Sequence, residues 1–212
     1  MDNTLFDLVG AQIEACNTVV QFLGRDDGID LYNYFMRSVH GYESHENILD
    51  YINDHQIPQE GTYDAARRIY ESEKLCHIVP YPGVKETLQY LQDQGLPMGI
   101  VTDAHSRDAI KRMEKTGLLS YFSGLVSFDM VQVKKPAPEP FLFALEMLKA
   151  GRDETLLIGD SPRRDIEPCR SLGIRTAYAR YGDRFSDDRS TVIADFIIDS
   201  ITEVPGILCR YI

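Results

Sequence analysis

Thr155-Leu156-Leu157-Ile158-Gly159 is followed at once by Asp160-Ser161-Pro162-Arg163-Arg164-Asp165, so the chain passes abruptly from apolar to charged. A short, nearly continuous apolar run is what a parallel strand buried on both faces requires. In an open sheet of such strands, ligands gather outside the carboxyl ends. This stretch sets two expectations: an α/β sheet, and a ligand-binding end at residues 160–165.

The same rhythm recurs on either side. Further strand candidates are Met98-Gly99-Ile100-Val101-Thr102, Gly124-Leu125-Val126-Ser127, Arg175-Thr176-Ala177-Tyr178-Ala179 and Phe196-Ile197-Ile198. Helices are expected between them, near 83–94, 105–116, 138–149 and 164–172. The first three end in or just before Gly95, Gly117 and Gly151, where glycine suits a helix C-terminus. Alternation of this kind marks a parallel sheet covered by helices.

Upstream the pattern changes. From about Asp7 to Leu75, Val9, Ile13, Cys16, Val20 and Leu23 recur at helical spacing, and so do Leu31, Tyr34, Phe35 and Val39. Turns at Gly24–Gly28, Gly41–Ser44 and Pro58-Gln59-Glu60-Gly61 divide the region into about four short helices. Tyr34, Phe35, Tyr51 and Tyr70 read as core of this module. The segment His77-Ile78-Val79-Pro80-Tyr81-Pro82-Gly83 stops helix and marks the boundary. The expected division is therefore 1–6 with 80–212 as one domain and 7–79 as a helical insertion.

With 33 acidic against 22 basic residues the formal charge is -11, so the long-range field repels nucleic-acid backbones and anionic membranes. An anionic metabolite is accommodated only where a local cation or metal reverses that field. Cys16, Cys76, Cys169 and Cys209 are widely spaced and form no zinc pattern, which suits a reducing cytoplasm. No apolar segment approaches the roughly 20 residues that span a bilayer, and the N-terminal residues do not read as a signal peptide.

Four places carry candidate chemistry. Thr102-Asp103 follows one strand, with His105 behind it suited to capping or lining the site and not to catalysis, Asp160-Ser161 and Asp165 follow another, Val133-Lys134-Lys135-Pro136 offers ammonium groups, and Asp2-Asn3-Thr4 opens the chain. Taken singly each has a plain reading. Thr102 suits a strand end, Lys135 a solvated charge, and Asp160 and Asp165 helix caps, although capping does not exclude metal binding. Arg163 and Arg164 suit a solvated helix start or a grip on phosphate.

Taken together they resemble the four motifs of the haloacid dehalogenase-like superfamily, in order. Asp2-Asn3-Thr4-Leu5 is similar to the end of D-x-D-x-T-L, and Gly99-Ile100-Val101-Thr102 to the apolar strand ending in Thr or Ser. Lys135-Pro136 matches the third motif, and Gly159-Asp160-Ser161-Pro162-Arg163-Arg164-Asp165 matches G-D-S-x-x-x-D. The resemblance implies a Rossmann-like parallel-sheet core with an inserted helical cap, and phosphatase-type hydrolysis through an aspartyl-phosphate with Mg2+. It further implies metal ligation by Asp160 and the Asp2 carbonyl, with Asp165 beside them, and general acid and base work by Asp2. Thr102, Asp103 and Lys135 would face the phosphorylated substrate, Thr102 and Lys135 stabilising the transferring group.

The first aspartate of D-x-D would stand immediately before Met1, together with the strand that leads into it, so the resemblance implies a polypeptide beginning some ten residues upstream. The same scaffold also serves 2-haloacid dehalogenases and phosphosugar mutases, and a chain without the nucleophile could be a phosphate-binding protein without turnover. Retention of Asp2 favours phosphoester chemistry, because expelled halide needs no protonation. The expected substrate is a small phosphorylated metabolite such as phosphoglycolate, a triose or sugar phosphate (glyceraldehyde 3-phosphate among them), or a nucleoside monophosphate. The cap is expected to hinge near Phe6-Asp7 and Val79–Pro82.

Overall fold

A computed structural model describes residues 1–58, 60–186 and 188–208; Gln59, Asp187 and residues 209–212, Cys209 among them, lie outside the described residues. The chain forms two compact units, Leu8–Ile78 and Met1–Asp7 with Val79–Ile212.

The first unit is helical: α1 Leu8–Phe22, α2 Gly28–Met36, α3 Glu46–Asp54 and α4 Thr62–His77. The Asp27 side chain caps α2 by accepting the Asp30 N–H, a donor the first helical turn cannot satisfy internally. The core contains Val9, Cys16, Val20, Leu31, Phe35, Ile48, Tyr51, Ile52 and Tyr70. Phe35 and Tyr70 stack with ring centroids 4.9 Å apart, and Gln12 Nε2 donates to the Tyr70 hydroxyl at 3.0 Å. Tyr34 packs edge-on against Tyr51 while its hydroxyl donates to Asp54. Val39 departs from the helical pattern. Ser38 has φ +56°, the chain leaves α2 at Met36, and Val39 is exposed.

Lys74 of α4 is buried, lies over the Tyr70 ring, and donates to Glu71 at 2.9 Å, while His45 meets the same Glu71 oxygen at 2.7 Å. Burial raises the Glu71 carboxyl, but the His45 hydrogen bond and Lys74 outweigh it and hold the pKa at about 2. An acid depressed on folding contributes stability above its unfolded value and loses it as pH falls through the folded one. The helical unit is therefore expected to lose stability as pH falls from about 4.5 towards 2. A Lys74→Met variant should flatten that dependence in acid denaturation followed by circular dichroism.

The second unit alternates. Its elements are α5 Val84–Asp93, β1 Gly99–Val101, α6 Ser106–Thr116, β2 Gly124–Val126, α7 Phe128–Val131, α8 Glu139–Leu148, β3 Leu156–Gly159, α9 Glu167–Ser171, β4 Arg175–Ala179, β5 Phe196–Ile198 and α10 Val204–Leu208. β1 pairs with β2, and β3, β4 and β5 pair in that order, all parallel. Among the described residues β1 and β3 do not pair, so the strands form two sheets. Asp195 Oδ2 accepts both the N–H and the hydroxyl of Thr176, which pins β4 beside the segment entering β5. Phe141, Leu145, Cys169 and Ile174 form a core cluster in this unit. No helix among the described residues is long and apolar enough to cross a membrane.

The helix expected over 164–172 begins earlier and in a wider form. A π-turn over Pro162–Ile166 precedes α9, because the Ile166 N–H reaches back to the Ser161 carbonyl and the Ser161 hydroxyl accepts from Arg164 N–H. This winding lets the Asp165 carboxylate turn back on its own loop and accept the Ser161 N–H at 3.1 Å.

The opening segment is fastened to the loop after β4. The Tyr181 hydroxyl donates to the Thr4 carbonyl at 2.7 Å, and a Cβ placed on Gly182 would stand 1.6 Å from the Asn3 carbonyl oxygen. That neighbour is backbone and cannot swing aside. Gly182→Ala is expected to destabilise the protein by about 3 kcal/mol or more, the upper range of overpacking costs, as read by urea unfolding.

Candidate active site

The carboxyl ends of β1 and β3 deliver Thr102 and Asp160, both buried. The Thr102 hydroxyl accepts the Ala104 N–H at 3.2 Å, so the chain turns directly after the strand. Asp160 Oδ1 accepts the Thr4 hydroxyl at 2.7 Å, bringing the opening segment to the end of β3. Lys135, in the loop after α7 and joined to Pro136 by a cis peptide, donates from Nζ to Asp165 Oδ1 at 2.6 Å. Its backbone N–H donates to Asp103 Oδ1 at 2.9 Å, and Arg164 Nη1 lies 3.6 Å from Asp103 Oδ2. Thr102, Asp103, Lys135, Asp160 and Asp165 thus meet at one end of the unit. A Cβ on Gly159 would stand 2.6 Å from the Asp165 Cβ, so glycine there leaves room for that carboxylate.

Asp2 is placed differently. Its Oδ1 accepts from Arg112 Nη1 at 3.0 Å. Arg112 is buried on α6, on the stripe Ala109, Arg112, Met113 and Thr116. An arginine among core-facing positions of a helix was the one sequence signal for this partner, and the motif reading passes over it. His105 stands apart from the network: it packs edge-on against Phe128, and Asp129 holds the N–H and hydroxyl of neighbouring Ser106.

The electrostatics follow from crowding charges where water is scarce. Burial alone lowers the Lys135 ammonium, but Asp165 and then Asp103 hold it above the ordinary lysine value. Burial raises Asp165, and Lys135 outweighs it to leave that carboxyl below its ordinary value. Asp160 is pushed up to about 6, first by burial and then by the negative charge of Asp165.

A divalent cation fits this arrangement. Asp160 is a buried carboxylate held by a hydroxyl, with a second carboxylate crowding it, so added positive charge would relieve both. Among the described residues no cluster of three or more His, Cys, Asp or Glu forms a cage. Mg2+ needs none, because it keeps several of its waters and binds through one or two carboxylates.

Comparison with known proteins gives the same picture. Residues 1–179 match the family model described as haloacid dehalogenase-like hydrolase. The chain is 30% identical over 159 residues to a phosphoglycolate phosphatase of Nitrosococcus oceani, covering 72% of this chain and 69% of that protein. It is 33% identical over 131 residues to the pyrophosphatase PpaX of Halalkalibacterium halodurans, covering 62% and 60% respectively. Among solved structures, the Bacillus subtilis HAD-hydrolase YfnB bound to magnesium superposes with a TM-score of 0.78 over 99% of this chain and 96% of that one. At 19% identity that likeness bears on the fold alone. With the family model spanning most of its length and the motif residues gathered at the ends of β1 and β3, this chain belongs to the haloacid dehalogenase-like hydrolases.

Proposed function

We propose that the protein is a magnesium-dependent phosphatase that releases phosphate from a small phosphorylated metabolite through an aspartyl-phosphate. The observation that carries this reading is the Lys135–Asp165 pair beside Asp160, closed at 2.6 Å where the strands end. The phosphatase names of two relatives support it.

Asp160 and the main-chain carbonyl of Asp2 would hold Mg2+, which supplies positive charge against the phosphoryl oxygens. The Thr102 hydroxyl would donate to one of those oxygens, and the Lys135 ammonium would neutralise charge as the group moves between its carriers. Asp165 aims that ammonium. Asp2, two positions after the aspartate of D-x-D, would protonate the departing alkoxide and then take a proton from the attacking water. Its carboxylate is turned to Arg112 at 3.0 Å, so it must swing from the guanidinium to act. The helical unit serves as the cap in this reading, and phosphoglycolate, triose or sugar phosphates and nucleoside monophosphates form the substrate set.

The test is phosphate release from an aryl phosphate with and without Mg2+, comparing the chain from Met1 with one preceded by an apolar strand and an aspartate. Magnesium-dependent release from the second supports the reading. Inactivity of both would overturn it.

A further inference from the structure

We infer that Asp103 is a positioning residue for Lys135, locking the backbone of the lysine loop so that the ammonium is aimed at the end of β3. The contacts form a closed circuit through three loops. Asp103 Oδ1 accepts the Lys135 N–H at 2.9 Å, and Lys135 Nζ donates to Asp165 Oδ1 at 2.6 Å. Asp165 Oδ2 accepts the Ser161 N–H at 3.1 Å, and the Ser161 hydroxyl accepts from Arg164 N and Nε at 3.3 and 3.4 Å. Arg164 Nη1 returns to Asp103 Oδ2 at 3.6 Å.

Both oxygens of Asp103 therefore face protein groups, which leaves the carboxylate poorly placed to receive substrate. Its charge would in any case repel a phosphoryl oxygen. What the Lys135 N–H requires is an acceptor at that point, and an amide oxygen serves as well as a carboxylate. The arm to Arg164 contributes little, since that guanidinium is half exposed and the contact is long.

The assignment rests on the reading of Lys135 given above, so its test carries a readout that does not need turnover. Asp103→Ala and Asp103→Asn are compared by aryl phosphate kinetics at saturating Mg2+, in the chain carrying the upstream aspartate. In parallel, the Lys135 ammonium is followed by nitrogen NMR in the metal-free protein. Asp103→Ala is expected to lower kcat by about 10- to 100-fold with KM nearly unchanged, the scale of a misplaced catalytic group. Asp103→Asn should recover most of that loss. The Lys135 ammonium signal should shift or broaden in the alanine variant and persist in the asparagine variant. Should the alanine variant fail to fold, Asp103→Ser, whose hydroxyl stops short of the N–H, takes its place.

A raised KM with kcat intact would show direct substrate contact and overturn the assignment. So would equal loss in both variants, or an ammonium signal unmoved in both. If the unsubstituted protein releases no phosphate, the phosphatase reading falls, and the ammonium signal alone decides on Asp103.

Discussion

In the chain carrying the upstream aspartate, Lys135→Met is expected to lower phosphate release by about 10²–10³-fold, the cost of removing one preorganised charge-stabilising donor, and to destabilise the fold as well. The second effect has a separate cause. Asp165 would keep the Ser161 N–H but lose the Lys135 ammonium that stands 2.6 Å from its Oδ1. Breaking a buried ion pair from one side costs about 3–5 kcal/mol because the remaining charge is left uncompensated. The two effects separate in a double variant. Adding Asp165→Asn to Lys135→Met removes the stranded charge, so urea unfolding should recover while initial rates stay low. Rates near those of the parent in Lys135→Met would remove Lys135 from the mechanism.

Asp160→Asn should work in the opposite sense on stability. The Asp160 carboxylate is buried, crowded by Asp165, and held by the Thr4 hydroxyl. Without metal its charge is a burden on the fold, and in the proposed mechanism Mg2+ would turn that burden to use. In the chain carrying the upstream aspartate, the variant is expected to lose magnesium-dependent turnover by at least about 10²-fold. The metal-free variant should also melt higher than the parent by roughly 2–4 °C for each kcal/mol relieved. Magnesium titration by calorimetry and thermal melts with and without the ion test both halves. A variant that keeps its magnesium affinity would exclude Asp160 as a ligand.

The sequence exposed the parts of this protein whose physics is local. Apolar runs ending at Val101 and Gly159 identified both strands and the end at which polar residues collect. Helical spacing found all four helices of the first unit. It overran at Val39, where one left-handed residue, Ser38, ended the helix without a glycine to announce it. The turn at 162–166 was also hidden, because its width depends on hydrogen bonds that spacing does not encode. Residues acting through others were harder still. Asp103 reads in sequence as one more acid beside a substrate, and only the position of the Lys135 N–H reveals its work. Arg112 looks like a helix surface charge until the buried stripe on α6 is seen to include it.

The separation of the two sheets bears on handling the protein. β3 offers one four-residue edge with no ladder partner among the described residues, and Leu156, Leu157 and Ile158 on it are only partly covered. A strand edge lined with such side chains, without lysine or proline to blunt it, is a template for any extended segment nearby. Concentrated samples of the chain begun at Met1 should therefore self-associate through Leu156–Ile158 more readily than samples of one preceded by an added apolar strand.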